Sequence, residues 1–289
     1  MKEHFRVGSE AHKELFCRTF VETHRPIEPE AIVWPNLDDE ALARLKGLPV
    51  WNEAARTEAE TAVKVQALGR AEPDPVLSRA IALQGYEEGR HAAIIQLLVR
   101  RYGISVSPFD PPQPPRDPVW TFLRVGYGEC IDSFFAFGLF EIGRRSQYFP
   151  QALIEIFDPI VQEEARHILF LVNWAAYLRG RAPLALRPAF DARRGWLVGL
   201  ELLGHARQAA TFGGDDSQKG FEMTSHNAFG DFSAREFLEL CLSENDRRLS
   251  LYDPRLLRPL LVPGAVRAAL RLMPGARRAG GAGGGAKAA

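Results

Sequence analysis

Apolar residues recur at intervals of three and four along most of this chain, and prolines and glycines separate the periodic stretches. This spacing is typical of helices that bury one face, so the pattern predicts an all-α protein. A short amphipathic helix is expected over residues 9–23, followed by an extended connector that contains several prolines. Four long helices are expected after it, over residues 49–71, 76–102, 118–148 and 150–178.

The segment between the second and third long helices, residues 103–117, contains five prolines and should be extended. Such a segment reaches roughly 45 Å at about 3.1 Å per residue, and the second helix is roughly 40 Å long at about 1.5 Å per residue. The segment is therefore long enough to cross the length of the helices, so the third helix can run parallel to the second. This predicts a four-helix bundle with one long crossover.

Helical periodicity continues beyond the four long helices, although less regularly. Residues 233–236 have the form of a capping box, which predicts the start of a further helix. The final stretch is almost all glycine and alanine and should be disordered. The predicted organisation is an N-terminal lead-in helix and connector over residues 1–48, the bundle over 49–180, a C-terminal helical extension over 181–279 and a disordered tail over 280–289.

Two nearly identical pentapeptides lie in the second and fourth long helices: Glu-Glu-Gly-Arg-His at residues 87–91 and Glu-Glu-Ala-Arg-His at residues 163–167. In each, the second glutamate and the histidine are three residues apart and project from the same helix face. One such motif alone is more typical of a solvated, ion-paired face. Two copies in separate helices predict the two halves of one metal site.

Two further glutamates stand inside the apolar stripes of the other long helices. Glu58 is the charged residue within the inward stripe of the first helix, and Glu129 lies within that of the third. Four carboxylates balance the charge of two divalent ions, and two neutral imidazoles add ligand atoms without adding charge, so the cluster can be buried. Oxygen-rich sites with imidazole suit iron or manganese. The predicted metal ligands are Glu58, Glu88, His91, Glu129, Glu164 and His167.

The residues beside these ligands are expected to orient them. A histidine that binds a metal usually donates its free ring N–H to a carboxylate, and Glu87 and Glu163 are candidates to accept from the histidine of the opposite motif. Asp132 in the third helix is a further candidate. Arg90 and Arg166 are expected to neutralise these outer carboxylates through charge-assisted hydrogen bonds.

The doubled motif, together with Glu58 and Glu129 from separate helices, resembles the ferritin-like superfamily of di-iron carboxylate proteins over about residues 49–178. It is most similar in motif to the oxygen-activating branch, which includes acyl-carrier-protein desaturases and bacterial multicomponent monooxygenase hydroxylases. The resemblance implies a ferritin-like four-helix bundle, two iron ions or a manganese–iron pair as cofactors, dioxygen as a reactant and a separate reductase as electron donor. It also implies a catalytic role for Ser133, which stands one turn after Glu129, where that branch has a hydroxyl residue that assists oxygen activation.

This resemblance leads us to expect an oxygen-dependent di-iron oxidoreductase, an oxidase or oxygenase that acts on a small, apolar organic molecule. Phe134, Phe137 and Phe140 could line its substrate pocket. Phenylalanines at this spacing are more often plain core or a dimer face, so a homodimer stays an option. Two other functions remain open: a ferritin-like protein that oxidises and binds iron without an organic substrate, and a structural protein that has lost its metal.

Composition narrows the choice of partners and compartment. Lys and Arg together number 36, as do Asp and Glu, so no net charge recruits nucleic acid. Three widely separated cysteines argue against a disulfide framework or a cysteine-bound metal. The first residues lack the apolar run of a secretion signal, and no run of about 18 apolar residues occurs. We therefore expect a soluble, cytoplasmic protein without a transmembrane segment.

Overall fold

The computed structural model describes residues 5–48, 50–212 and 233–273. Pro49, part of the predicted C-terminal extension and the predicted tail lie outside these ranges. Within them the chain is helical and has no β-strand, so the predicted all-α class is confirmed. No helix in these ranges combines the length and the apolar character that crossing a membrane requires. The α-helices of the described residues are α1 (Glu10–Glu22), α2 (Asp39–Gly47), α3 (Trp51–Ala71), α4 (Pro75–Tyr102), α5 (Pro118–Arg145), α6 (Gln151–Arg181), α7 (Arg187–Phe212), α8 (Ala234–Leu249) and α9 (Leu261–Leu272).

Local capping chemistry sets the ends of α4. The helix begins at Pro75 because Asp74 accepts hydrogen bonds from the backbone N–H groups of Val76 and Leu77, at 2.9 and 3.2 Å. It ends at Gly103, whose left-handed φ of 61° suits glycine. The helix therefore ends where the sequence predicts, at residue 102, and Gly103 stands at the start of the extended segment.

Several predicted boundaries differ from the observed ones. The segment expected to be extended before the first long helix contains α2, which begins where Asp38 accepts from the backbone N–H of Ala41 at 2.7 Å. This cap starts a helix even though the residues before it are rich in proline. α5 ends at Arg145, before the predicted end at residue 148, and α6 continues to Arg181, beyond the predicted end at residue 178.

The helices α3 and α4 form a close antiparallel pair. Gln66 of α3 donates to the carbonyl of Gly85 in α4 at 3.2 Å, and Ser78 near the start of α4 donates to Gly69 near the end of α3 at 2.9 Å. A Cβ atom at Gly85 would press against the backbone of Gln66. This close approach of the two helices therefore requires glycine at that position.

Polar contacts give the direction of α6 relative to α4. Glu87 of α4 contacts His167 near the middle of α6, whereas Arg90, further along α4, contacts Glu163, which comes earlier in α6. The order of contacts is reversed between the two helices, so α4 and α6 are antiparallel.

Apolar contacts give the direction of α5. Phe122 of α5 packs against Trp174 of α6, with ring centres 5.1 Å apart, whereas Gly126, one turn later, faces Leu171, which comes earlier in α6. α5 is therefore antiparallel to α6 and parallel to α4. Residues 103–117 connect the end of α4 to the start of α5 without helical structure.

Elements outside the four long helices cover them on two sides. α1 packs on α4 and α6, where Phe16 and Phe20 contact Phe170 with ring centres 5.4 and 5.0 Å apart. α8 and α9 pack on α5, where Phe134 forms a buried cluster with Cys241 and other residues. The described parts of the lead-in and of the C-terminal extension therefore share core contacts with the long helices.

Asn173 of α6 joins α1 to the segment that precedes α9. Its side chain is fully buried and accepts hydrogen bonds from Nε2 of His12 and from the backbone N–H of Leu257, both at 2.8 Å. Its amide group donates to the carbonyl oxygens of Leu169 and Leu257, at 2.7 and 3.0 Å. Every hydrogen-bonding atom of this buried side chain is therefore satisfied.

We expect Asn173→Leu to destabilise the fold, because it leaves the donors on His12 and Leu257 buried without a partner. Each such loss costs about 1–3 kcal/mol. The free energy of unfolding in urea should fall by about 2–5 kcal/mol. The control Asn36→Leu, at an exposed position, should change it by less than about 0.5 kcal/mol. Equal effects of the two substitutions would show that the network adds no stability.

The ring of His12 should make stability depend on pH. Its Nδ1 accepts from the backbone N–H of Gly8 at 3.1 Å, so protonation there breaks that bond. Burial lowers the pKa of His12, although its hydrogen bond with Asn173 opposes the shift. A histidine with a lowered folded pKa loses stability as pH falls through its unfolded pKa of about 6.5. The stability advantage of the wild type over His12→Gln should shrink from about pH 8 to about pH 5. A constant difference would contradict this.

Candidate metal centre

Four side chains of the two motifs converge between α4 and α6. Glu88, His91 and His167 are buried, and Glu164 is half-buried. Nδ1 of His167 lies 3.0 Å from Oε1 of Glu88 and 3.6 Å from Oε2 of Glu164. Nδ1 of His91 lies 3.0 Å from Oε1 of Glu164. Glu164 therefore stands between the two imidazole rings, whose centres are 5.6 Å apart.

The helices α3 and α5 each add a carboxylate to this cluster. Oε2 of Glu58 in α3 lies 3.7 Å from Nδ1 of His91. One ligand atom from each of Glu58, Glu88, His91 and Glu164 lies within 4.8 Å of the others. Ligands on opposite sides of a small divalent ion are about 4.2 Å apart, at about 2.1 Å per bond. Glu129 in α5 interacts electrostatically with Glu88 and Glu164. This buried group of glutamates and histidines could hold metal ions.

Three ligand atoms of the cluster are buried and lack a hydrogen-bond partner while the imidazoles are neutral: Nδ1 of His91, Nδ1 of His167 and Oε2 of Glu129. Each imidazole donates from its other nitrogen, Nε2, to a carboxylate outside the cluster, so in the neutral ring Nδ1 carries a lone pair. That lone pair faces carboxylate oxygens, which are also acceptors. Two acceptors about 3 Å apart repel each other unless a cation or a proton lies between them.

The electrostatics of the cluster favour positive charge within it. Burial by itself lowers the pKa of His91 and of His167, but the surrounding carboxylates outweigh burial and raise both pKa values well above the usual range. Burial, together with the charges of neighbouring glutamates, raises the pKa of Glu129 well above its usual value. Burial is also the main cause that raises the pKa of Glu58 to about 7. A divalent cation would compete with protons for these groups.

An outer carboxylate and an arginine hold His91. Glu163 accepts from Nε2 of His91 at 2.8 Å and from the guanidinium of Arg90 at 2.6 and 2.5 Å. Burial alone would raise the pKa of Glu163, but these hydrogen bonds outweigh burial and lower it. The carboxylate is therefore ionised, and Nε2 of His91 must be the donor.

The same arrangement is repeated around His167. Glu87 accepts from Nε2 of His167 at 2.9 Å and from the guanidinium of Arg166. Burial would raise the pKa of Glu87, but its hydrogen bond with His167 and the nearby positive charges lower that pKa to about 2. The first glutamate of each motif thus contacts the histidine and the arginine of the other motif, as the sequence analysis expects.

Two residues that the sequence analysis does not single out contact this network. Nδ1 of His24, in the segment after α1, lies 2.5 Å from Oε1 of Glu87. Gln84 of α4 is fully buried and directs Nε2 towards Oε1 of Glu88 at 3.3 Å. Gln84 precedes Glu88 by one turn, so helical spacing could have identified it. His24 lies far from both motifs in sequence and carries no comparable signal.

Asp132 does not contact either histidine of the cluster, which departs from the prediction. Its side chain is exposed, and its carboxylate accepts from Nε2 of His205 in α7 at 2.9 Å. Three residues turn a helix by about 300°, so Asp132 points about 60° away from Glu129, towards α7. Ser133, in contrast, is buried one turn after Glu129, at the position predicted for the catalytic hydroxyl.

The three phenylalanines predicted to line a substrate pocket contact the C-terminal helices instead. Phe134 packs in a buried cluster with Cys241 of α8. The guanidinium of Arg248, also in α8, lies 5.5 Å from the ring centre of Phe137 and 5.6 Å from that of Phe140. The structure therefore favours the alternative interpretation, in which these rings are core.

Comparison with known proteins identifies no relative: no protein-family model, no curated protein and no solved structure matches the chain. The functional argument therefore depends on the chemistry of the cluster itself.

We expect Glu163→Ala to destabilise the metal-free protein, because Arg90 would stay buried without its carboxylate partner. Breaking a buried ion pair from one side costs about 3–5 kcal/mol. The free energy of unfolding by chemical denaturant should fall by about that amount. Glu155→Ala, which removes an exposed carboxylate from the same helix, should cost less than about 0.5 kcal/mol. Similar losses in the two variants would contradict the assigned role of Glu163.

Proposed function

We propose that α3 to α6 form a ferritin-like four-helix bundle around a di-iron centre and that the protein is an oxygen-dependent oxidoreductase. The observation that carries this proposal is the set of three buried ligand atoms without a partner, Nδ1 of His91, Nδ1 of His167 and Oε2 of Glu129, inside a cluster of carboxylates. The helix directions support it, because two parallel helices joined by an extended crossover are the connectivity of ferritin-like bundles.

The donor set fits two divalent ions. Its four carboxylates carry four negative charges, which two divalent cations neutralise, and each ion receives one neutral imidazole. Glu164 lies between the two histidines, as a shared ligand must. By their positions, one ion would be held by Glu58 and His91, the other by Glu129 and His167, and Glu88 and Glu164 would be shared.

Iron is the metal that this proposal favours. Oxygen-rich sites with one imidazole per ion suit iron or manganese, and a manganese–iron pair would fit the same ligands. When bound, a pair of iron(II) ions supplies two electrons to dioxygen, and a separate reductase restores them. The proposed reaction is the oxidation of a small, apolar organic molecule.

The residues of the chain orient the ligands and control access to them. Glu87 and Glu163 accept the Nε2 hydrogens of the two histidines and so direct both Nδ1 lone pairs inwards. Glu88 is almost fully enclosed, whereas the side chains of Glu58 and Glu164 are 25% and 23% exposed. We infer that dioxygen and substrate approach from the side on which these two carboxylates are accessible.

Ser133 is the proposed catalytic hydroxyl. It is buried one turn after Glu129, on the same helix, where bulk water does not compete for its hydrogen bonds. A hydroxyl both donates and accepts, so Ser133 can hold a proton close to the oxygen that reacts. With this role, the protein would share a further feature with the oxygen-activating proteins that its ligand set resembles. The role depends on the same metal centre.

We expect His91→Ala and Glu164→Ala each to remove at least one metal ion per chain, because each takes away a ligand that the metal needs. Iron should be measured after anaerobic loading with iron(II), and the wild type should retain about two ions. Asp132→Ala, which removes an exposed carboxylate outside the cluster, should retain the same number. Helical content by circular dichroism should be nearly unchanged throughout. Full occupancy in both ligand variants would refute the ligand assignment.

The same loaded protein tests the reaction. It should consume dioxygen and, with an external reductant, convert an apolar test substrate into an oxidised product. Oxidation of iron without any organic product, in a large multi-subunit particle on gel filtration, would favour an iron-binding function instead. Absence of both metal and oxygen consumption would contradict the proposed function as a whole.

A further inference from the structure

The last turn of α1 and the segment that follows it close the outer side of the network around the two motifs. Arg166 donates to the carbonyl of Phe20 at 3.4 Å, and Arg90 donates to the carbonyl of Arg25 at 3.2 Å. The guanidinium of Arg166 also lies 4.7 Å from the centre of the Phe20 ring. Both buried arginines therefore use backbone acceptors that come from outside the four long helices. Between these two anchors the segment carries His24.

His24 begins a chain of two hydrogen bonds that ends at a proposed metal ligand. Its Nδ1 lies 2.5 Å from Oε1 of Glu87, and the other oxygen, Oε2, accepts from Nε2 of His167 at 2.9 Å. Because an ionised carboxylate can only accept, both imidazoles donate to it. Oε1 of Glu87 also accepts from Arg166, so three donors hold the two oxygens and fix the plane of the carboxylate and, with it, the ring of His167.

The outer carboxylates of the two motifs, Glu87 and Glu163, are held by different donors. One ligand atom each from His24, Glu87 and Glu163 lies within 4.8 Å of the others, but the hydrogen bond from His24 goes to Glu87. The carboxylate of Glu163 is held by Arg90 through two short contacts. These three residues do not make a further cation site, because Arg90 and Arg166 already donate to both carboxylates and would repel a cation there.

We propose that His24 is a positioning residue for the half of the metal centre built on His167, an inference that rests on the proposed function. It acts through Glu87: without His24, Oε1 of Glu87 is held by Arg166 alone, and the ring of His167 loses part of its fixed orientation. Outer partners of a ligating histidine change metal affinity by about 10–100-fold. His24 is one hydrogen bond further from the metal ligand than Glu87 is, so its effect on metal affinity should be near the lower end of that range. The half built on His91 should be affected little.

The test is a pair of double variants titrated with manganese(II). His91→Ala retains the half built on His167, and His167→Ala retains the half built on His91. Bound manganese(II) is measured by the loss of the free-ion electron paramagnetic resonance signal. His24→Ala should weaken binding about tenfold in the His91→Ala background and less than about twofold in the His167→Ala background. His24→Asn, whose amide nitrogen replaces Nδ1, should restore most of the affinity, and Thr23→Ala at the adjacent exposed residue is the matched control.

A second measurement needs no metal. It therefore tests the inference even if a double variant binds no manganese(II). In the full chain with ¹⁵N-labelled histidine, hydrogen exchange at Nε2 of His167 should become faster in His24→Ala, whereas exchange at Nε2 of His91 should not change. Equal effects on the two histidines, or none, would overturn the proposal for His24 while the metal centre stands. If the unsubstituted chain binds neither manganese(II) nor iron(II), the proposed function is wrong, and so is this inference, which depends on it.

Discussion

The need to hold several carboxylates together inside the protein is the constraint on which the rest of this structure depends. An unpaired carboxylate removed from water costs several kcal/mol, and neighbouring carboxylates add mutual repulsion. The chain meets this cost in two ways. The outer pair, Glu87 and Glu163, is ionised and neutralised by buried arginines. The inner glutamates contact no arginine in the described residues. Burial and neighbouring carboxylates raise the pKa of Glu58 and of Glu129, whereas the two histidines outweigh burial and lower the pKa of Glu164.

This division explains the composition of the repeated motif. In each copy the first glutamate and the arginine pair with the opposite copy, and the second glutamate and the histidine form the cluster. Neither copy can neutralise its buried arginine by itself, because the partner carboxylate of that arginine comes from the other copy. Antiparallel packing of α4 and α6 is what brings the two copies into this reciprocal contact. The docking of these helices and the assembly of the site are therefore one event, and a metal ion that binds the cluster would stabilise that docking.

Elements outside the four long helices complete the arrangement. The last turn of α1 and the backbone after it supply acceptors for the two buried arginines, and His24 adds a third donor to Glu87. The helix α8 packs on α5 and encloses Arg248 against Phe137 and Phe140. These contacts enclose the cluster towards α1 and leave Glu58 and Glu164 as its more accessible members. Under the proposed function, reactants would meet these carboxylates before the imidazoles.

The sequence by itself determined the elements whose cause is local. Helical periodicity and the spacing of three residues within each motif need only a helix to take effect. The all-α class, and the shared helix face of the second glutamate and the histidine in each motif, could therefore be read directly. The reciprocal pairing of the motifs was also predictable, because a ligating imidazole needs a carboxylate for its second nitrogen. The predicted reaction and substrate have no such local cause and stay proposals.

Only the tertiary structure decided which groups from distant parts of the chain meet. Asp132 has the right spacing to face inwards, but α7 presents His205 on its side and takes its carboxylate. Phe137 has the pattern of a pocket wall, but α8 covers it with Arg248. His24 reaches Glu87 because α1 packs across α4 and α6, a contact between residues far apart in the chain. Helical spacing gives the direction of a side chain relative to its neighbours on the same helix, and the packing of a second element decides what it touches there.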